Sequence, residues 1–501
     1  MTPAGYLTLA PDFDVFREGY EAGCSQLLYR RVVGDLETPL SAYLKLTGDA
    51  PGSFLLESVE GGEQLGRYST IGMAPDLVWE AQDGRAALKT LDGKVFSQGG
   101  EALSSLRKLI AEDAAELSRN AGDDLPPMAS GLFGFFAYDF VRTLETLPAR
   151  HANELELPDA YLVRPTVVAT FDNVKREVVL VTTAHPSSGR SAEEAYAEAD
   201  VRLSERLARL SEPWTDQPPP PCKPPVFSSN MRPAEYLDAV AKAQEYIRAG
   251  DIFQVVLSQR YSAEFSGRPL DAYRQLRRIN PSPFLFYLNF PPATLLGASP
   301  EILVRVRNGE VAIRPIAGTR PRGRTPEEDR ALEKELLADE KERAEHLMLL
   351  DLGRNDVGRS AELGTVRPTE TFVVERYSHV MHITSHVTGR LKEGLSPLDA
   401  MMNGFPAGTL SGAPKIRAME IIDELEAARR GPYGGAIGYF GTDGEFDSCI
   451  GLRMAVVKDG QVHVQAGAGI VYDSDPASEL AECEAKSRAI KEAFERAARG
   501  A

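Results

Sequence analysis

Hydrophobic residues follow two kinds of pattern along this sequence. Short apolar runs, such as 55–59 and 178–181, are typical of strands. Residues 193–210 instead repeat apolar positions at helical spacing and are rich in helix formers, which predicts a helix. Residues 233–249 predict a second helix, and Gly250 is placed to end it. Further apolar runs predict strands at 253–259, 284–288 and 302–306.

The order of these elements indicates the fold class. Many turns lie next to short strands, and the strands alternate with helices without a repeat at a fixed period. This pattern favours largely antiparallel sheets over a doubly wound parallel sheet. We therefore predict an α+β fold with largely antiparallel sheets and outer helices.

The clearest boundary in the chain is a proline-rich run at 216–226, which can form neither a helix nor an inner strand. Such a run is typical of a stiff polyproline connector. We therefore predict an N-terminal part of residues 1–215 and a C-terminal part of residues 227–501.

The composition narrows the class of partner. The 501 residues are 43% hydrophobic, enough for a large core, and carry a formal net charge of −17. An acidic chain without a basic block argues against binding to nucleic acid and favours small molecules or proteins. No apolar run has the length of a membrane span, and the first residues lack the features of a signal peptide. We therefore expect a cytoplasmic protein that binds no membrane.

Two pairs of glutamates share a spacing of three residues: Glu342 with Glu345, and Glu479 with Glu482. Residues three apart share a helix face, so each segment can aim two carboxylates in one direction. If the two faces meet, four like charges crowd together, and a hard cation with oxygen ligands, Mg²⁺ first, relieves their repulsion. Taken alone, each pair is more often a solvated helix face, so the metal hypothesis depends on the surrounding motifs.

Two glycine-containing segments are candidate anion sites. Gly318 and Thr319 can present backbone N–H groups and a hydroxyl to a carboxylate. Gly467 and Gly469 follow a strand-like run and permit close approach of the backbone to a ligand. An exposed turn and a plain bulge explain the same segments without a ligand. Nucleotide binding is excluded, because the third glycine of a dinucleotide fingerprint is missing and 408–415 lacks the P-loop spacing.

Four further residues are candidates for chemistry, although each has an ordinary structural explanation on its own. Glu301 follows a turn between two strand-like runs, where a carboxyl at the wall of a cleft can stay protonated as a general acid, or can simply cap the surface. His382 lies between apolar residues, and a core histidine is the commoner case there. Tyr433 and Arg453 can bind and orient a carboxylate.

Taken in order, these segments resemble the chorismate-utilising enzymes, and most closely the family of anthranilate synthase large subunits. The resemblance covers nearly the whole chain. It implies two facing antiparallel sheets in a sandwich with helices outside, and a catalytic cleft in the part after the proline run. The segments that carry it are 55–58, 131–139, 250–258, 280–285, 298–301, 315–319, 351–356, 405–409 and 479–486.

The resemblance implies a site for chorismate and Mg²⁺. Glu345 and Glu482 would bind the Mg²⁺, with Glu342 and Glu479 close behind. The ion would hold the ring carboxylate of chorismate. The residues that would contact the substrate are Gly318, Thr319, Tyr433, Arg453, Gly467, Ala468, Gly469 and Lys486.

The resemblance also implies a reaction. Ammonia would attack C2 of chorismate while Glu301 protonates the departing C4 hydroxyl, which gives aminodeoxyisochorismate. His382 would take part in the loss of pyruvate that yields anthranilate, in the first committed step of tryptophan biosynthesis.

Two positions separate the branches of this family. Gln254 stands where isochorismate-type enzymes place a water-activating lysine, so it points to ammonia as the nucleophile. Ala317 stands where aminodeoxychorismate synthases typically have a lysine that can attack the ring, and alanine offers no nucleophile. We therefore predict an anthranilate synthase, with an aminodeoxychorismate synthase large subunit as the alternative.

The source of ammonia is expected to lie outside this chain. Its four cysteines, Cys24, Cys222, Cys449 and Cys483, are far apart, which suggests reduced thiols rather than a zinc site or disulfides. None is flanked by the glycines of a nucleophile elbow. A separate glutamine amidotransferase subunit is implied, in a heterotetramer of two large and two small subunits.

Feedback inhibition by L-tryptophan is the last property that the resemblance implies. Phe284 and Leu285 stand where tyrosine and methionine are common in the family. A different class of function remains open, namely a catalytically silent subunit that only binds tryptophan and regulates a partner. The residues that match the family's inhibitor site are Glu57, Ser58, Asn280, Pro283, Phe284 and Leu285.

Overall fold

The computed structural model describes residues 8–60, 64–116, 125–148, 150–215, 220–377 and 380–500. The helices within these ranges are α1 Phe13–Glu21, α2 Pro39–Thr47, α3 Ala102–Glu116, α4 Ala192–Ser211, α5 Pro233–Ala249, α6 Pro269–Ile279, α7 Pro326–Ala338, α8 Glu340–Ser360, α9 Pro397–Gly404, α10 Lys415–Leu425 and α11 Pro476–Ala498. The strands are β1 Gln26–Val33, β2 Ser53–Glu60, β3 Gln64–Gln82, β4 Arg85–Lys89, β5 Val95–Glu101, β6 Gly131–Phe136, β7 Ala160–Asp172, β8 Glu177–Ala184, β9 Ser228–Ser229, β10 Gln254–Glu264, β11 Phe284–Phe290, β12 Ala293–Ser299, β13 Ile302–Arg307, β14 Glu310–Ile313, β15 Ile316–Pro321, β16 Arg367–Arg376, β17 Val380–Arg390, β18 Gly412–Ala413, β19 Ala436–Gly441, β20 Phe446–Ile450, β21 Met454–Lys458 and β22 Gln461–Ile470.

The predicted elements are confirmed. The helical pattern at 193–210 lies within α4, and the one at 233–249 coincides with α5. Gly250 ends α5 in the left-handed conformation, with φ 84°, a backbone geometry that glycine adopts without a steric penalty. The predicted strands fall within β2, β8, β10, β11 and β13, apart from a one-residue difference at the start of β10.

Antiparallel pairing joins the strands into two sheets that share two long strands. The first sheet runs β1-β8-β7-β3-β2-β11-β12-β21-β22-β10. The second runs from β7 through β6, β19, β20, β13 and β14 to β17, which β15 and β16 flank. The shared strands are β3 and β7. The first half of β7 pairs with β6 and its second half with β8. Strand β3 pairs with β7 along both halves.

Aromatic side chains fill the space between the two sheets. The rings of Phe54 on β2 and Phe133 on β6 stack at 4.7 Å, and those of Tyr161 on β7 and Phe290 on β11 lie 5.4 Å apart. Burial of such large apolar surfaces is the main stabilising term for the sandwich. The outer faces pack on helices through two further core clusters. The prediction of an α+β sandwich with outer helices is therefore confirmed.

Each sheet contains a block of strands from before the proline run and a block from after it, and one strand pair joins the two blocks. Strand β2 pairs with β11, and β6 pairs with β19. Residues 216–219 of the predicted 216–226 connector lie outside the described residues, and the rest of it has no helix or strand. The Cys222 N–H donates to the Ala498 oxygen at 2.8 Å, so the end of the connector is tied to α11. Within the described ranges, no helix has both the length and the apolar content needed to cross a bilayer.

Candidate active site

Glu301 lies in the two-residue connection between β12 and β13, and only 8% of the residue is exposed. Its backbone oxygen accepts a hydrogen bond from the Ile450 N–H at 3.0 Å, and its Oε1 accepts one from the Thr409 hydroxyl at 3.1 Å. Burial raises the pKa of this carboxyl to about 8, against the effects of the Thr409 hydrogen bond and of the positive charges on Lys486 and Arg453. The carboxyl therefore carries a proton at neutral pH and can act as a general acid.

His382 lies on β17, with its ring fixed by the neighbouring strand β15. Its Nδ1 is 3.0 Å from the Gly318 backbone oxygen and 3.0 Å from the Thr319 hydroxyl. A carbonyl oxygen only accepts hydrogen bonds, so this contact assigns the proton to Nδ1 and leaves Nε2 as a lone pair. Burial, with the charge of Arg453, lowers the pKa of the imidazole to about 4. His382 is therefore a neutral base at physiological pH.

Arg453 lies just before β21 and is held in the left-handed backbone conformation, with φ 46°. Its guanidinium makes no hydrogen bond or ion pair with the residues that the structure describes, although the Glu301 carboxyl and the Tyr377 ring lie within its electrostatic range. A non-glycine residue in this conformation is unusual, and such residues cluster at functional sites. An unpaired arginine beside a protonated carboxyl is a suitable binding site for a carboxylate.

Two glycines of β22 pack closely against Tyr433 and Gln254. A side chain at Gly467 would come within 2.7 Å of a backbone oxygen and 3.0 Å of the Tyr433 hydroxyl. A side chain at Gly469 would come within 2.7 Å of the Gln254 amide nitrogen. Lys486 reaches the same strand from α11, where its Nζ donates to the Gly467 oxygen at 3.1 Å. Glycine is therefore required at both positions, because neighbouring protein atoms occupy the space that a Cβ would need.

The glutamates of α8 and α11 lie within electrostatic range of each other. Burial and the negative charges of Glu342 and Glu482 raise the pKa of the Glu345 carboxyl. Burial, together with the charge of Glu482, also raises the pKa of Glu479. No three His, Cys, Asp or Glu side chains of the described residues approach closely enough to form a complete metal cage. The donor set nevertheless fits Mg²⁺, which uses one or two carboxylates and fills its other positions with water or substrate oxygens.

Comparison with known proteins identifies the family. A family model described as chorismate binding enzyme matches residues 54–492. The chain belongs to this family. It is 53% identical to anthranilate synthase component 1 from Cereibacter sphaeroides, over 96% of this chain and 97% of the relative. It is 49% identical to the protein of that name from Thermus thermophilus, over 94% of this chain and 98% of the relative.

Two solved structures have the same fold as this chain. Anthranilate synthase component I from Streptococcus pneumoniae superimposes with a TM-score of 0.75 at 37% identity, over 92% of this chain and 98% of that one. The menaquinone-specific isochorismate synthase from Escherichia coli superimposes with a TM-score of 0.69 at 18% identity, over 94% of this chain and 95% of that one. The second match supports the fold alone.

Most residues predicted for the chorismate site lie in one region of this family member. Lys486 is within electrostatic range of both Glu301 and Glu345, so the acid and the glutamates are neighbours. Arg453 is within electrostatic range of both Glu301 and His382, so these two residues are neighbours as well. Ala468 differs from its glycine neighbours, because its side chain is fully buried in the apolar cluster beneath the strand. Only its backbone could face a ligand.

Two residues of the site received no catalytic or binding role from the sequence alone. Thr409 lies in a segment that resembles the family, but its hydrogen bond to Glu301 comes from a part of the chain 108 residues away. Gln254 is only 3% exposed, and its Oε1 has no hydrogen-bond partner among the residues that the structure describes. A buried acceptor without a partner is costly, and it indicates a place for a ligand that donates.

A cavity of about 380 Å³ lies between the two sheets, apart from the residues described above. Glu57, Ser58, Phe284 and Leu285 line it, as the sequence predicted for an inhibitor site, whereas Asn280 and Pro283 precede β11 and are not part of its lining. The sequence did not predict its other polar residues, because they come from distant strands of the second sheet and from β3. These are Arg67, Tyr68, Arg305, Arg307, Tyr439, Asp447 and Ser448.

Proposed function

We propose that this chain converts chorismate and ammonia to anthranilate and pyruvate. The single observation that carries the proposal is the enclosed Glu301 carboxyl, protonated at neutral pH, near the Arg453 guanidinium, which pairs with none of the described residues. Such a pair suits a substrate that carries carboxylates and must lose a hydroxyl group. The names of the relatives at 53% and 49% identity support the same reaction.

In the first step, ammonia adds to C2 of chorismate and the C4 hydroxyl leaves as water. Glu301 donates the proton that the departing oxygen needs, because hydroxide is a poor leaving group. The Oε1 of Gln254, which has no partner in the described part of the chain, is suited to accept a hydrogen bond from ammonia. The product of this step is aminodeoxyisochorismate.

In the second step, the ring loses the C2 proton and the enolpyruvyl group, which leaves as pyruvate. The lone pair on Nε2 of His382 can take that proton, because Nδ1 is fixed as the donor to Gly318. Formation of the aromatic ring supplies much of the driving force. Ala317, which offers no nucleophile, argues against the aminodeoxychorismate synthase alternative.

Glu345 and Glu482 are the proposed ligands of a Mg²⁺ ion. Glu342 and Glu479 lie within electrostatic range of these two ligands. When bound, the ion would neutralise charge on the substrate carboxylate and on the glutamates. The like charges that raise the pKa of Glu345 support this assignment, because their repulsion falls when a cation binds between them.

A separate glutamine amidotransferase is the proposed source of ammonia, in a heterotetramer in the cytoplasm. The component naming of the relatives supports a partner subunit. Two cysteines of this chain are poorly suited to hydrolyse glutamine, because burial raises the pKa of the Cys483 thiol to about 11 and that of Cys449 further still.

The purified chain is expected to form anthranilate from chorismate, ammonium and Mg²⁺, and to form little from glutamine until an amidotransferase subunit is added. Anthranilate fluorescence measures both rates. Absence of product from folded protein with ammonium would contradict the proposed reaction and favour a silent regulatory subunit. Glutamine-driven product from this chain alone would contradict the assignment of the cysteines.

The cavity between the sheets is the proposed site for inhibition by L-tryptophan. Its wall combines apolar side chains such as Phe286 and Ile437 with charged groups such as Arg67 and Asp447. An indole and an amino acid backbone need that combination of surfaces. Cys449 lines the cavity, and its neighbour Ile450 donates to the Glu301 oxygen, so the cavity wall is one residue from the proposed acid.

The Ser58→Phe variant is expected to resist tryptophan while it keeps its turnover without inhibitor, because the larger side chain fills the cavity and leaves the active site unchanged. Calorimetry of tryptophan binding and inhibition kinetics measure the effect. Tryptophan and chorismate must weaken each other's binding by the same factor in the unmodified chain.

Ser97→Phe provides the matched control, since it makes the same change at an exposed position of β5. Equal tryptophan affinity in Ser58→Phe and in the control would place the inhibitor elsewhere.

A further inference from the structure

A buried ion pair behind the proposed active site has no part in the reaction described above. Glu426 and Arg430 lie four residues apart in the segment after α10, and their side chains are 3% and 1% exposed. The Arg430 Nη2 is 2.6 Å from Glu426 Oε1, and its Nε also contacts both carboxylate oxygens. Burying two charges is costly, and an apolar pair of the same size is often as stable. Stability alone therefore does not explain this pair.

The guanidinium holds the backbone of two separate active-site segments. Its Nη1 donates to the Leu410 oxygen at 2.5 Å, and its Nη2 donates to the Val256 oxygen at 2.7 Å. Leu410 directly follows Thr409, whose hydroxyl donates to Glu301. Val256 lies on β10, two residues after Gln254. One planar group with fixed donor directions thus sets the distance between two segments of the site.

The carboxylate of Glu426 contacts β10, the strand that carries Gln254. Glu426 Oε1 accepts from the backbone N–H of Ser258 at 2.7 Å and from its hydroxyl at 2.8 Å. Ser258 pairs in register with Gly467, and its hydroxyl also accepts from the Gln465 amide at 2.8 Å. The Arg430 guanidinium in turn lies 5.8 Å from the ring centre of Tyr433.

We propose that the Glu426–Arg430 pair is a positioning element, which fixes the backbone at Leu410 so that the Thr409 hydroxyl donates to Oε1 of Glu301. A hydrogen bond donated to Oε1 leaves the acidic proton on Oε2, the oxygen that would protonate the leaving hydroxyl. The pair then serves turnover more than substrate binding. This inference rests on the proposed function, because Glu301 must act as the acid.

Arg430→Lys tests the inference, because lysine keeps the charge and the contact with Glu426 but cannot reach both backbone oxygens with its single nitrogen. We expect kcat with ammonium to fall about 10- to 100-fold, the cost of a small misplacement of a catalytic group. The KM for chorismate should change much less. Arg429→Lys is the matched control, since Arg429 bonds the His151 oxygen and no active-site segment.

A double-mutant cycle with Thr409→Val separates positioning from a general loss of stability. If Arg430 acts through Thr409, the double variant loses no more kcat than Thr409→Val alone, within about twofold. Two outcomes would overturn the inference. One is a double variant whose loss of kcat equals the product of the two single losses, and the other is a kcat for Arg430→Lys within about twofold of that of the unmodified chain.

If Arg430→Lys lacks a cooperative melting transition, Glu426→Gln replaces it in the double-mutant cycle. Glutamine keeps an oxygen that can accept the hydrogen bonds from Ser258. Failure of both variants to fold would show that the pair serves the fold, and would also overturn the inference. An inactive unmodified chain would instead count against the proposed function.

Discussion

Replacing Glu301 by glutamine is expected to lower kcat for anthranilate formation by about 10²–10⁴-fold, the range that general-acid catalysis supplies. Glutamine keeps the size of the side chain and can still accept from the Thr409 hydroxyl at Oε1, but it has no acidic proton to donate. Steady-state rates with saturating chorismate and ammonium measure the loss. A loss of less than about tenfold would mean that Glu301 is not the general acid.

The pH dependence of the same reaction gives a second test of Glu301. Burial raises the pKa of its carboxyl to about 8, so the protonated fraction falls as the pH rises through that value. Turnover should therefore decline on the alkaline side near pH 8, and Glu301→Gln should lack this decline. Glu310→Gln, an exposed change on β14, is the control and should retain both the rate and the pH profile.

Alanine at Glu345 or Glu482 is expected to abolish measurable turnover while the protein stays folded. Each change removes a proposed ligand of Mg²⁺, and each also removes a negative charge from a group of like charges, so the fold loses little. The side chains of Lys486 and of its partner Glu482 are 43% and 47% exposed, and exposed ion pairs contribute little to stability. Turnover rates, the melting temperature and the increase in that temperature with added Mg²⁺ measure the outcome.

Glu484→Ala serves as the control, because this exposed glutamate lies two residues from Glu482 on a different face of α11. It should keep both activity and the response to Mg²⁺. Chelation with excess EDTA should abolish the activity of the unmodified chain, and added Mg²⁺ should restore that activity. Full activity after dialysis against EDTA would mean that the glutamates of α8 and α11 are only a solvated surface.

The sequence predicted the elements of the fold because their signals are local. The helix at 233–249 carries its own periodicity and its own terminating glycine, and the strand at 284–288 is a continuous apolar run. The sharing of β3 and β7 between two sheets has no such local signal, because it depends on partners far away in the chain. Only the resemblance implied that two sheets face each other.

The residues of the site were predictable where a motif or a charge pattern marked them. Glu301 and the glutamates of α8 and α11 belong to such patterns, and the structure places them near one another. The role of Thr409 depends on one hydrogen bond across the site, and a threonine hydroxyl has no sequence signature for such a contact. The position of the proton on the His382 ring likewise could be assigned only from the structure, because it depends on the contact with the Gly318 backbone oxygen.

The pairing of early with late strands in both sheets has a consequence for synthesis of the chain. When the first 215 residues have left the ribosome, the edges of β2 and β6 are complete, but their partners β11 and β19 have not yet been made. Unpaired strand edges readily associate with other chains, and contacts between distant residues form slowly. The incomplete chain is therefore expected to be more prone to aggregation than the finished protein until β19 has been made.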